Sequence, residues 1–191
     1  MKNVILSALV VCLFASASYG QEFPKMDGSP LDAAYFPTRA AFRSFAKTDA
    51  ERKAGEPIIR VLYSRPQKKG RNIFGDLQKY GEMWRIGANE ATEILLFQDV
   101  KVGGTTLKAG RYTMYAMVQE KEWEIHFSTD NDGWGHYAFK PEETSVGSIT
   151  VPTQATSGTV EALGIFFEKT EAGADMIIGW DDTMVRVPFE I

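Results

Sequence analysis

The feature that most constrains the fold is a strict alternation of apolar and polar residues after Pro57. In the segment EWEIHFS, Trp123, Ile125 and Phe127 alternate with polar residues, and TMVRVPFEI at the end of the chain repeats the pattern. A period of two places successive side chains on opposite faces of a strand, so these segments fit a sheet with one packed and one solvated face. The same pattern predicts six further strands, at residues 58–63, 93–98, 112–118, 146–151, 160–168 and 176–180.

Turn signals separate these runs. Gly103-Gly104 predicts a tight hairpin, Asp130–Gly133 and Ala172-Gly173 predict further turns, and Asp181-Asp182 is expected to close a hairpin. Short strands with turns at this spacing favour an all-β fold. We therefore expect residues 57–191 to form an antiparallel β-sandwich, jelly-roll-like or barrel-like.

The segment 21–56 has a different pattern and is predicted to be an N-terminal arm, helical or irregular. Ser29 before Pro30, with Asp32 in the first turn, predicts a short helix that ends at Pro37. The run RAAFRSFAKTDAERKAG then predicts a second helix, followed by Gly55.

Residues 1–20 have the pattern of a signal peptide. Lys2 precedes the apolar run VILSALVVCLFA, and small residues end the segment at Gly20. We therefore expect cleavage near Gly20 and a periplasmic or secreted protein with no membrane span in the mature chain. The single cysteine, Cys12, lies in the apolar run, so the mature chain would have no disulfide or thiol nucleophile.

Composition narrows the function classes. Roughly 170 residues remain after cleavage, which suits one domain with a substantial core. The chain carries 21 basic and 25 acidic residues, and this mild acidity argues against nucleic acid as a partner. The oligomeric state is left open.

Several segments together resemble the domain-of-unknown-function 2911 family of secreted bacterial proteins. They run in order along the chain: MDGSPLDAAYFP, YSRPQKKGRNIFG, YGEMWRIGANEAT, DVKVGGTTLKAGRYTMYAM, EWEIHF, WGHY and GWDDTMVRVPFEI. The resemblance covers nearly all of the mature chain, but it assigns no catalytic residues. Many relatives have Trp-Glu-Lys where this chain has Trp180-Asp181-Asp182.

A basic segment supplies the first candidate site. Residues 57–75 contain five basic residues and no acid, although the chain is acidic overall. Arg65 and Arg71 in the turn-rich loop 64–75 could grip a carboxylate or phosphate with paired hydrogen bonds. The alternative is a solvated charged loop.

The stretch WRIGANEA supplies the second candidate site. Trp84 could stack on a sugar or an aromatic ligand, while Arg85, Asn89 and Glu90 could hydrogen-bond to it. The alternative is a structural loop in which Arg85 pairs with a neighbouring acid or with backbone carbonyls.

The segment GWGHY adds Trp134 and His136 to the candidates. His126 and His136 are the only histidines, and a zinc site would need both together with Asp130 or Asp132. His126 is predicted on the outward face of its strand, which does not favour convergence. We therefore predict no metal and no cofactor.

Together these patterns predict a non-catalytic binding module for a polar or anionic small molecule or a saccharide. The site is expected where loops 64–75 and 84–92 meet, with Arg65, Arg71, Trp84, Arg85, Asn89, Glu90, Trp134 and His136 as candidate ligand contacts. Two alternatives stay open. One is an envelope hydrolase or isomerase acting on carbohydrate, with carboxylates and His126 or His136 as acid and base, and the other is a structural or partner-binding envelope protein.

Overall fold

The computed structural model describes residues 22–137 and 139–191, and the predicted signal peptide lies outside this range. Ten strands make up about half of this part of the chain. Their bounds are Leu31–Phe36 (β1), Ile59–Ser64 (β2), Met83–Trp84 (β3), Thr92–Leu96 (β4), Val100–Val102 (β5), Thr105–Leu107 (β6), Gly110–Val118 (β7), Glu122–Ser128 (β8), Ser145–Lys169 (β9) and Gly173–Glu190 (β10). A 3-10 helix covers Ala40–Phe45, and two α-helices cover Asp49–Ala54 (α1) and Pro141–Thr144 (α2).

All strand pairs are antiparallel, and the sheet order is β1-β2-β4-β7-β8-β9-β10-β5-β6, with β3 paired to β7. The predicted all-β antiparallel architecture is confirmed. The long strand β9 connects two layers, because residues 145–152 pair with β8 and most of the remainder pairs with β10.

The two layers face each other across one apolar core. Aromatic rings meet there from opposite layers: Phe36 lies 6.1 Å from Phe167, and Phe127 lies 6.1 Å from Phe189, between ring centroids. The alternation in β8 explains its contribution, since Trp123, Ile125 and Phe127 are all fully buried.

The opposite face of β8 differs from its predicted solvated character. His126 and Ser128 are buried, because residues 139–145 fold over them. The Ser128 hydroxyl donates to Thr144 Oγ1 at 2.9 Å, and the ring of Phe139 lies 5.9 Å from that of His126. His126 and Ser128 therefore lie beneath a covering segment, whereas Glu122 on the same face is exposed as predicted.

The helix predicted to begin at Ser29 is wrong. Residues 31–36 instead form β1, which pairs along its whole length with β2. Strand pairing buries Ala34 and Phe36 and outweighs the local helix signal of the Ser-Pro-x-Asp sequence. Part of the predicted arm thus belongs to the sheet.

The second predicted helix is present as two short pieces. The 3-10 helix ends at Phe45, and α1 begins after Thr48, whose side chain and Glu51 form a reciprocal capping box. Gly55 follows α1 as expected. The capping box at Thr48 begins a separate helix, which explains why the segment does not form one continuous helix.

The predicted hairpin at Asp181-Asp182 is also wrong, since both residues lie inside β10 at an irregularity in its pairing with β9. Asp181 has a positive φ of 59°, which is typical of a locally bulged backbone. The Gly103-Gly104 hairpin is confirmed between β5 and β6. Within the described ranges, no helix is both long enough and apolar enough to cross a membrane.

Candidate functional site

The basic loop 64–75 is fixed to strand β10 by a buried ion pair. Lys68 Nζ lies 2.5 Å from Asp181 Oδ1, with both side chains mostly buried, and the other carboxylate oxygen accepts from the Ile73 amide at 3.1 Å. The Lys68 amide donates to the Glu161 carbonyl at 2.7 Å. The bulge at Asp181 therefore aims its carboxylate at this loop and holds it in place.

The two predicted anion-binding arginines of this loop make structural contacts. Arg65 donates to the Leu163 carbonyl at 3.0 Å and to Asp32 Oδ2 at 2.9 Å. Arg71 donates from Nε to the Lys68 carbonyl at 2.9 Å and from its terminal nitrogen to the Gln67 carbonyl at 2.6 Å. Each guanidinium group thus uses two of its five N–H donors within the protein.

Loop 84–92 is tied to the basic loop through Ser64. The Ser64 hydroxyl donates to the Ala88 carbonyl and accepts from the Ala88 amide at 2.8 Å. A Cβ on Gly87 would lie only 2.9 Å from Ser64 Oγ, so this close approach requires glycine. The two loops predicted to meet do come together here.

Buried residues on either side of Arg85 set its position. Trp84 is buried and donates from its indole nitrogen to the Gly87 carbonyl at 3.3 Å. Ile86 is fully buried at a φ of 54°, a left-handed conformation that β-branched residues rarely adopt. The Ile86 carbonyl accepts from Thr92 Oγ1 at 2.8 Å, which helps hold this strained turn.

A third segment, residues 133–137, packs on the same loop. The Ala91 amide donates to the Gly133 carbonyl at 3.0 Å, and the Gly135 amide donates to the Asn89 carbonyl at 2.8 Å. Glu90 and Trp134 form an isolated antiparallel bridge. These contacts place His136 beside loop 84–92.

The three segments, together with other residues such as Glu82 and Trp180, line a pocket of about 370 Å³, which we call the Arg85 pocket. Its charged or titratable lining residues are Arg71, Glu82, Arg85 and His136, and Trp84 and Trp180 supply aromatic surface. The two indole rings stack with centroids 6.0 Å apart. The pocket therefore has a rigid aromatic wall beside a group of polar side chains.

Two polar atoms at this pocket are buried without a hydrogen-bond partner among the described residues: Arg85 Nε and His136 Nδ1. Burial lowers the pKa of the His136 imidazole below its usual 6.5, the charge of Arg85 lowers it further, and Glu82 acts in the opposite direction. The lowered pKa keeps the ring neutral at pH 7. An unsatisfied buried polar atom costs about 1–3 kcal/mol, so two at one site call for an explanation.

A larger cavity lies elsewhere, with a volume of about 630 Å³ and walls that include Phe36 and Phe167. Neither of the unpartnered atoms of the Arg85 pocket lies in it, nor do any of the eight candidate residues. This cavity therefore has more space than the Arg85 pocket, but its lining gives less chemical reason to expect a ligand.

The structure divides the eight candidate residues. Four line the Arg85 pocket: Arg71, Trp84, Arg85 and His136. The other four do not: Arg65, Asn89, Glu90 and Trp134. Asn89, at a φ of 61°, and Glu90 lie in the turn that holds segment 133–137, where Trp134 is exposed.

Sequence reasoning missed Glu82 and Trp180 as lining residues. Trp180 lies in β10, almost one hundred positions after Trp84, and only the tertiary fold brings the two rings together. Glu82 lies two positions before Trp84, but its acidic side chain does not fit the expected anion chemistry.

The two histidines occupy different surroundings. His126 Nε2 lies 3.6 Å from Glu124 Oε2, and His126 Nδ1 lies 3.4 Å from Ser145 Oγ. His136 instead lines the Arg85 pocket. Across the described ranges, no cluster of three or more histidine, cysteine or acidic side chains is arranged to hold a metal ion.

The chain belongs to the DUF2911 family. Residues 46–189 match the family model described as "Protein of unknown function (DUF2911)". The match extends over the basic loop, loop 84–92, segment 133–137 and β10, so it includes all the lining residues named above. No curated protein and no solved structure matches the chain.

Proposed function

We propose that this protein is an exported, non-catalytic binding protein for a small polar ligand that carries an anionic group, a carboxylate or a phosphate. The observation that carries the proposal is the pair of buried, unpartnered nitrogens at one pocket, Arg85 Nε and His136 Nδ1. The sequence pattern of residues 1–20 supports export to the periplasm or the medium.

The charge around the pocket favours an anion. Arg71 and Arg85 contribute two positive charges, Glu82 contributes one negative charge, and His136 stays neutral at pH 7 because its pKa is lowered. A guanidinium group presents paired donors that match a carboxylate or a phosphate. The net positive lining contrasts with the formal charge of −4 on the whole chain.

The basic loop gives the pocket a rigid frame. Because Arg71 is held by carbonyls of its own loop, it supplies mainly positive potential. The Arg85 carbonyl accepts from the Thr92 amide at 3.1 Å, but the Nε of its side chain is buried without a hydrogen-bond partner among the described residues. Arg85 is therefore the residue expected to bind the anionic group directly. Glu82 would accept from a hydroxyl or ammonium group on the same ligand.

Thermal-shift measurements test this function. The chain from Gln21 onward is screened with acetate, phosphate, glucuronate, short acidic peptides and neutral sugars. A ligand at one hundred times its Kd should add about 2.7 kcal/mol of stability. Arg85→Gln should abolish the shift, and Arg52→Gln, which removes an exposed arginine from α1, should retain it. An equal shift in wild type and Arg85→Gln would contradict the proposal.

A second candidate is catalysis in the same pocket, on an anionic sugar or a related substrate. Glu82 and His136 both line it, and the charge of Glu82 acts on the His136 pKa. Such a pair could serve as general acid and base for a hydrolase or isomerase. Mass spectrometry of a bound ligand after prolonged incubation separates the two functions: turnover lost in Glu82→Gln, with binding retained, would favour the enzyme.

A further inference from the structure

Two exposed aromatic rings lie beside the Arg85 pocket. Trp134 is 63% exposed and Tyr137 is 75% exposed, although both are large and partly apolar. Their ring centroids are 6.0 Å apart with an interplanar angle of 28°. The other three tryptophans of the chain, Trp84, Trp123 and Trp180, are buried, so Trp134 is an exception that its own packing does not explain.

The backbone holds these rings in a fixed arrangement. Gly135 has a φ of 78°, and a Cβ there would lie 2.5 Å and 2.7 Å from atoms of the Tyr137 ring. The ring therefore packs directly against a backbone position that only glycine can occupy. The bridge from Trp134 to Glu90 fixes the backbone that carries the other ring. The pair is a preorganised surface, which lowers the entropic cost of binding.

The aromatic surface is continuous with the pocket. His136 lies between the two residues in sequence, lines the pocket, and stacks on Tyr137 with ring centroids 5.1 Å apart. Glu90 is exposed beside Trp134. A ligand whose anionic group reaches Arg85 can thus extend past His136 onto the two rings.

We propose that the ligand is an acidic oligosaccharide. This inference rests on the proposed function. One uronic acid residue would place its carboxylate at Arg85, and the next sugar ring would lie on Trp134 and Tyr137.

The chemistry of the surface favours a sugar. The C–H face of a pyranose is flat and apolar and matches an aromatic ring, while its hydroxyl groups need acceptors and donors at the edge. The carboxylates of Glu90 and Glu82 can accept hydrogen bonds from those hydroxyl groups. The same two carboxylates would repel the several phosphates of a nucleotide, so a saccharide fits better than a nucleotide.

Calorimetry with three probes tests the inference: galacturonic acid, a trisaccharide of one galacturonic acid and two neutral sugars, and a neutral trisaccharide of similar length. In the wild-type chain the acidic trisaccharide should bind at least tenfold more tightly than the monosaccharide, and the neutral trisaccharide should bind more weakly than the acidic one. Trp134→Ala and Tyr137→Ala should each remove most of the gain from the added rings and leave galacturonic acid binding unchanged.

Two controls complete the design. Trp134→Phe should retain most of the affinity because it keeps an aromatic face. Phe45→Ala removes another exposed aromatic ring, 80% exposed in the 3-10 helix, and should have no effect. Sugar binding should also change the tryptophan fluorescence of the wild type, and this change should be lost in Trp134→Phe.

The possible failures are distinguishable. Equal binding of the acidic trisaccharide to wild type, Trp134→Ala and Tyr137→Ala would overturn the proposed role of the aromatic surface. The acidic-oligosaccharide proposal would also fail if a simple anion binds through Arg85 and no saccharide binds. In both cases the proposed anion-binding function would stand. Binding of any of these ligands unaffected by Arg85→Gln would overturn the proposed function itself.

Discussion

The basic loop 64–75 and loop 84–92 both carry arginine at the edge of the same pocket, but they use it differently. In the basic loop, Arg65 and Arg71 donate to carbonyls and a carboxylate of the protein, and Lys68 is paired with Asp181. In loop 84–92, Arg85 has a buried nitrogen with no partner in the described part of the chain. The loop with more positive charge is thus the more structural one.

The difference teaches that charge density is a poor guide to a binding site. A cation that already has hydrogen-bond partners gains little from a ligand, because each new contact must replace an existing one. A single arginine held in place by buried neighbours and left unsatisfied has more to gain. The comparison predicts that substitutions in the first loop change stability and that the substitution of Arg85 changes binding.

The largest expected effect is on the buried ion pair. Lys68→Met leaves the Asp181 carboxylate buried without its cation and should lower the free energy of unfolding by about 3 kcal/mol. Lys69→Met is the matched control, since Lys69 is exposed and should stay within about 0.5 kcal/mol of wild type. Urea denaturation followed by fluorescence measures both. Equal stability of the two variants would show that the pair does not hold the loop.

A smaller difference in stability is expected between the substitutions of Arg65 and Arg85. Arg65→Gln loses its contacts with Asp32 and the Leu163 carbonyl and should destabilise the protein by about 1 kcal/mol, because the ion pair is half exposed. Arg85→Gln should stay within about 0.5 kcal/mol of wild type in the same urea titration. A loss of stability in Arg85→Gln larger than that in Arg65→Gln would reverse the comparison and assign Arg85 to the scaffold.

The smallest effect is a pH dependence that originates in His136. Its pKa is lowered in the folded protein, so the unfolded chain takes up the proton first as the pH falls. This contribution to stability is fully present above the usual value of 6.5 and is lost as the pH falls through 6.5 toward the folded pKa. His136→Asn should therefore lose less stability than wild type between pH 8 and pH 5.5.

Thermal melting across this pH range provides the measurement, with Arg85→Gln as a second variant. Removal of the Arg85 charge raises the His136 pKa and should shrink the pH-dependent loss. Protonation of His136 adds positive charge to the pocket, so anion binding should tighten as the pH falls. Identical pH profiles for wild type and His136→Asn would show that this histidine does not titrate in the expected window.

The sequence was sufficient for much of the fold because most strands have a clear period of two. The segment EWEIHFS corresponds to β8, and the runs 146–151 and 160–168 both lie within β9. The failures at Ser29 and Asp181 share one cause. Each segment has a strong local turn or cap signal, and strand pairing with a distant segment outweighs it.

The site was only partly predictable. The meeting of the two loops and the lining role of Arg71, Trp84, Arg85 and His136 followed from their residue types and turn-rich context. The difference between Arg65 and Arg85 could not be predicted, because it depends on partners such as Leu163, which lies 98 positions from Arg65. Hydrogen-bond satisfaction is a property of the tertiary structure and leaves no mark in the local sequence.

The length of β9 has a consequence for unfolding. Its 25 residues form one uninterrupted strand that belongs to both layers. Neither layer can detach without breaking a hydrogen-bond ladder of the other, so the sheet should unfold in a single cooperative transition. A mechanical force applied to one layer would be transmitted to the other through the same backbone. The Arg85 pocket is built from residues of both layers, so it would keep its shape until the domain unfolds.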